Sequence, residues 1–280
     1  MNHYTKKKFL KDKNRRNQKP EIVPQGDDTF RIDYPAFYRD DIRSVKSADL
    51  AGAYAAKLSE IIDKTPYNFE AVLLLTDFFT DNGMIEKACE MRFDACQRII
   101  ELLPEDEEVE LSWNVPENHT LIFLLNYSAI DHFLAGEFGI SSALLETCLD
   151  VDPEDHMECS KILSYCYVAL KDEDSFRAEI INIDPKDMER ALLELWASFR
   201  FTGRIDDKQL RDFVRSYSFL FEELTAESHH ADEQFIAETD SGKMSRQAKA
   251  RQIWLKTEPL WERFGDFIDI LKTEVGKFKL

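Results

Sequence analysis

Residues 121–155 read LIFLLNYSAIDHFLAGEFGISSALLETCLDVDPED. Leu121, Leu125, Ala129 and Phe133 recur every four residues, which puts them on one face of a helix. Gly136 interrupts the pattern. Leu144, Leu145, Cys148 and Leu149 then form a second apolar face, closed by Val151. Pro153 ends it, because proline cannot continue a helix and biases the preceding residue away from helical backbone. Small residues (Ala129, Ser141, Cys148) stand where two antiparallel helices would touch, with the larger Leu125, His132 and Leu145 between them. The stretch predicts a helix hairpin, with Asn118 or Thr120 as the N-cap of its first helix.

The same punctuation recurs on both sides. An amphipathic run followed by Pro and a polar residue or two occurs at Pro66, Pro104, Pro153 and Pro185. Before Pro104, Val72, Leu75 and Phe79 form one face, Asp81-Asn82-Gly83 a turn, and Ala88 and Ala95 close-packing positions. Before Pro185, Ile162, Tyr165, Cys166 and Ala169 face inward, and Phe176, Ile180 and Ile183 return. Before Pro66 only a second helix is legible, through Tyr54, Ala55, Leu58 and Ile61. The prolines scatter around the spacing of about 34 that marks tetratricopeptide units.

On these residues the chain resembles a degenerate tetratricopeptide repeat (TPR-like) family over roughly 48–200, most closely over 119–187. The later half is also similar to an uncharacterised group within it, through Val151-Asp152-Pro153-Glu154-Asp155 and a Trp-containing tail from Trp254 to Leu271. The resemblance implies an antiparallel helix-hairpin α-solenoid that binds a protein or peptide partner in a groove lined by the first helix of each hairpin. In the 121–155 unit those groove positions are Phe123, Asn126, Ile130 and Phe133. Members that clamp a C-terminal carboxylate use Lys, Arg and Asn there. Only Asn126 fits, so an apolar or basic amphipathic ligand suits this groove better.

Beyond 187 the pattern stays helical without the period. Met188, Ala191, Leu195 and Phe199 form one stripe, stopped at Thr202-Gly203, and residues from Leu210 to Leu224 form another. Pro259 suits the first turn of a new helix. A solenoid needs its terminal apolar face covered, and 206–280 reads as that helical cap, with its Trp and Phe residues as core.

Composition agrees with an all-α chain. Of 280 residues, 44% are apolar and 32% charged, with nine Gly and nine Pro, too few of either for a β-rich fold of this size. The longest apolar run, Tyr165–Leu170, is far short of a membrane span. The basic start has no apolar stretch behind it, so it does not read as a secretory signal. Five cysteines without framework spacing read as reduced thiols. The location expected from these features is cytoplasmic, or nuclear if the source is eukaryotic.

Charge is divided unevenly. Residues 1–20 hold eight Lys/Arg against Asp12, a net +7, which leaves −25 on the remainder of a chain whose total is −18. Residues 1–29 read as a basic disordered tail. The alternative function carried by that tail is an RNA- or ribosome-associated factor, using Lys6, Lys7, Lys8, Lys11, Lys13, Arg15 and Arg16 as a weak, salt-dependent contact with nucleic acid. Residues 30–205 then form the repeats, entered through an ordered but irregular arm at Phe30, Tyr34, Phe37 and Tyr38. Residues 105–119 read as an acidic loop.

Motifs of catalysis are not found: no phosphate-binding glycine loop, no zinc-protease helix, no nucleophile elbow. His229-His230 reads as a surface loop. Cys148, His156 and Cys159 fall near one repeat boundary, but zinc takes four ligands, and Cys148 is explained by packing. The expectation is a non-enzymatic interaction module with no cofactor, no metal and no membrane.

Overall fold

The computed structural model describes residues 18–26, 28–45, 51–104, 106–229 and 233–278. The basic residues Lys6 to Arg16 lie outside them. The described chain is mostly helical and divides into two compact units. One comprises residues up to Asp131 together with Ala143–Cys159; the other comprises His132–Ser142 together with Ser160 onward.

The first unit opens on strands, where the end of a disordered tail (to residue 29) and then an irregular arm were expected. Strand β1 (Glu21–Gly26) pairs antiparallel with β2 (Thr29–Asp33), with a register shift between Pro24 and Gly26. Gly26 has φ 120°, a backbone that side-chain-bearing residues rarely adopt. Phe30 and Ile32 are buried and Arg31 and Asp33 exposed, the two-residue alternation of a strand with one covered face. A third strand, β3 (Glu110–Leu111), pairs parallel to β2. The described part of the acidic segment, 106–119, therefore holds a sheet edge followed by a helix start.

Helix α1 (Ala36–Val45) buries Tyr38, Ile42 and Val45. Then come α2 (Ala51–Lys64), α3 (Phe69–Asp81) and α4 (Ile85–Ile100). Ile42, Val45, Leu58, Ala71, Leu75, Phe79 and Ala88 form one core cluster. Asn68 caps α3 by accepting from the Ala71 amide at 3.2 Å. Ala88 and Ala95 are fully buried, as expected of close-packing positions.

Helix α5 (Pro116–Ala135) begins at a proline, which suits the first helical position. Asn118 thus lies inside the first turn and is not the N-cap. Its Oδ1 accepts from the Ile32 amide at 2.9 Å, and its Nδ2 donates to the carbonyls of Phe30 (3.1 Å) and Ser112 (2.8 Å). One buried amide side chain therefore ties α5 to the sheet. Arg92 of α4 grips Asp131 of α5 with two bonds, 2.7 and 3.0 Å, and donates to Thr80 Oγ1 at 3.2 Å. Helix α6 (Phe138–Val151) follows the Gly136 turn.

The second unit continues with α7 (Cys159–Leu170), α8 (Glu173–Glu179) and a short 3-10 turn (Ile180–Asn182). Next are α9 (Met188–Thr202), α10 (Asp207–Ser216) and α11 (Ser218–Thr225). The stripe from Leu210 to Leu224 is two helices, broken at Tyr217. Helix α12 (Glu233–Ser241) precedes α13 (Arg246–Arg263) and α14 (Gly265–Phe278). Breaks thus fall at Pro66, Gly83, Pro104, Gly136, Pro153 and Pro185, and the described part of 119–187 contains no strand.

Pro259 does not start a helix; α13 runs through it. The carbonyl deprived of its helical partner belongs to Leu255, an exposed residue. Trp196, Trp261 and Tyr165 pack edge-on or tilted at centroid distances of 5.3 to 6.2 Å, and all are buried. His229 lies in the loop after α11, as expected, but is largely covered there and not on the surface. Its ring stacks on Trp254 at 3.8 Å, and its Nδ1 lies 2.9 Å from Glu223 Oε1, the oxygen that Arg251 also binds. His230 lies outside the described residues.

Candidate functional site: an aromatic face on helix α5

Helix α5 carries His119, Phe123 and Tyr127 at four-residue spacing, which aligns them on one side. Phe123 and Tyr127 stack at 6.0 Å with an interplanar angle of 13°, and His119 lies 5.9 Å from Phe123. Trp113, just before the helix, joins them. Its indole is sandwiched between His119 (4.2 Å, 33°) and His156 (4.2 Å, 0°), and meets Phe123 edge-on at 6.3 Å. His119 Nε2 lies 2.6 Å from the Trp113 carbonyl, which fixes the ring as a donor there.

His156 is held from the other side. The Asp152 carboxylate accepts from the His156 amide at 2.9 Å and touches Nδ1 at 2.6 Å; Glu154 lies 3.4 Å from Nε2. The turn that makes this possible places Asp155 and Glu158 at φ 53°. The result is a connected run of five aromatic or imidazole rings, from Tyr127 through Phe123, His119 and Trp113 to His156. Trp113, His119, Phe123 and Tyr127 are half-buried and His156 is exposed, beside two carboxylates.

The four groove positions expected from the sequence are not equivalent. Phe123 is in the centre of this face, and Ile130, half-buried, is on the same side of α5. Asn126 is 3% exposed and donates to Cys159 Sγ at 3.3 Å. Phe133 is 2% exposed, packed against Phe138 and Tyr165 at 5.8 and 6.1 Å. Asn126 and Phe133 are thus taken up by internal packing, and a ligand reaches only Phe123 and Ile130. Sequence reasoning missed Trp113, His119, Tyr127 and His156. The signal for two of them was present: His119 and Tyr127 share with Phe123 the four-residue spacing already used to find the buried face.

Cys148 and His156 do not converge with Cys159 on a ligand set. Hydrogen bonding with Cys159 and burial push the Cys148 thiol well above its usual range, and His156 is engaged with Trp113 and Asp152 instead. Among the described residues no group of three His, Cys, Asp or Glu side chains is placed to hold a metal, and no helix is long and apolar enough to cross a membrane. Compared with family models, curated proteins and solved structures, the chain matches none of them.

Proposed function

We propose that this chain is a non-enzymatic protein-interaction module of TPR-like helix hairpins, and that a peptide segment docks on the aromatic face of α5. The observation that carries this is the incompletely covered cluster of Trp113, Phe123 and Tyr127. Large aromatics left partly open together mark interaction surfaces, and Trp and Tyr dominate binding energetics where they occur. Stacked rings are also rigid, so little side-chain entropy is lost on binding.

The solenoid arrangement belongs to this proposal. It is supported by the proline-punctuated hairpins and by Ala88, Ala95 and Ala129, which are fully buried at the positions expected for close helix contact. A ligand with apolar side chains and a positive charge fits best: rings would receive the apolar part, and the exposed carboxylate of Glu154 lies at the edge. Panning a displayed peptide library on the full chain, with counter-selection on Phe123→Ser/Tyr127→Ser, tests this. A consensus retained on the wild type and absent from the variant supports docking here. Equal enrichment on both would place binding elsewhere.

A further inference from the structure

A second surface of the first unit shares no residue with the aromatic face. A groove of about 600 Å³ opens where α4 and α6 end, between the turns at Pro104 and Pro153. Its floor is apolar, from Leu103, Val109, Leu149 and Val151. Its rim carries Glu107, Glu108 and Asp150, all exposed, and among the described residues no cation lines it.

Three further features give the groove one sign. Helix C-termini carry partial negative charge on their unpaired carbonyls, and both α4 and α6 terminate here. The adjoining surface already seats a cation: Lys19 Nζ lies 4.7 Å from the Tyr67 ring centroid and 3.7 Å from Glu101 Oε2. Glu101 is two residues before the groove floor begins at Leu103. The chain outside residues 1–20 is also net −25, so its wider field draws in positive ligands.

We propose that this groove is a docking site for a Lys/Arg-rich segment of a partner protein that also carries apolar side chains. The apolar side chains cover Leu103, Val109 and Leu149, and the ammonium or guanidinium groups reach Glu107, Glu108 and Asp150. The site selects for the combination. A purely basic segment leaves the floor wet, and a purely apolar or acidic one meets the carboxylates without a counter-charge.

The test uses the full chain and two labelled synthetic peptides, one of Lys and Arg with two leucines, the other with every base replaced by Glu. Fluorescence anisotropy reads the Kd. Binding of the basic peptide should weaken about tenfold in Glu107→Gln/Glu108→Gln/Asp150→Asn, as expected from three exposed ion pairs, and should fall with added salt. Leu149→Ala should weaken it severalfold at every salt concentration. Glu222→Gln/Glu262→Gln/Asp269→Asn, an equal charge change elsewhere on the surface, should change it less than twofold. Phe123→Ala/Tyr127→Ala should leave it unchanged, which separates this site from the aromatic face. Equal weakening by both triple variants would show attraction to the acidic surface at large and overturn the proposal. So would sedimentation of the chain as a dimer that the groove triple splits, because a second copy would then occupy the groove.

Discussion

Replacing Gly136 by alanine measures how tightly the C-terminal segment holds the hairpin turn. Gly136 has φ +79°, and a Cβ there would lie 2.3 Å from Arg263 Cζ. Arg263 Nη2 donates to the Ala135 carbonyl at 2.5 Å, so the guanidinium caps the end of α5. Gly203 offers the control: its φ is +77°, and its Cβ would meet nothing within 4 Å. Both substitutions place alanine in left-handed backbone, at about 1–2 kcal/mol. Only Gly136→Ala also displaces the guanidinium. That group sits at the end of a flexible side chain, so the added loss is its hydrogen bond, about 0.5–1 kcal/mol for an exposed pair. Thermal unfolding by circular dichroism should show Gly136→Ala melting about 1–4 °C below Gly203→Ala. In an Arg263→Ala background the two should melt alike. Equal melting in the wild-type background would refute the contact between α13 and the turn.

Other perturbations act on the interior. Ala129 is fully buried where helices meet, so Ala129→Trp should lower stability by about 1–3 kcal/mol or more in a denaturant titration, as overpacking does. Asp131→Asn leaves the buried Arg92 guanidinium without its carboxylate and should destabilise by about 3–5 kcal/mol; Arg92→Met/Asp131→Leu should lose much less. Burial pushes the Asp187 carboxyl up, but the Glu189 amide and the Lys161 ammonium outweigh it and hold it below the usual carboxylate value. Its contribution is therefore complete above the unfolded value of about 3.9 and lost as pH falls through the lower folded value. Asp187→Asn, which keeps an N-cap acceptor for α9 but loses the charge facing Lys161, should remove about 0.5–1 kcal/mol at pH 7 and much less at pH 2.

Helix positions were legible because prolines and glycines break helices for local, covalent reasons. Pro66, Pro104, Pro153 and Pro185 each fall between helices, and the breaks at Gly83 and Gly136 use positive φ. The strand pair Glu21–Gly26 and Thr29–Asp33 was not legible against Pro24. Its alternation spans only Thr29 to Asp33, too short to outweigh Pro24 and Gly26. Asn118 reads locally as a cap; its partners, Ile32 and Phe30, are more than 80 residues away. Pro259 misled for the converse reason: α13 runs through it, where the residue four positions earlier, Leu255, is exposed. At the site, Phe123 was expected from the groove positions that the family resemblance implies. Trp113 and His156 come from segments flanking different helices, and only the fold brings their rings together. His229 likewise meets Trp254 from 25 positions away.

The central claim, that the aromatic face of α5 docks a peptide, is tested most directly by a pair of dissociation constants. The peptide selected on the wild-type chain is titrated by calorimetry against wild type and against Phe123→Ala/Tyr127→Ala, after both are shown to melt within a few degrees. Loss of two aromatic contacts at a binding centre, about 2 kcal/mol or more together, predicts a Kd at least about 30-fold weaker in the variant. An unchanged Kd in a folded variant would contradict the claim.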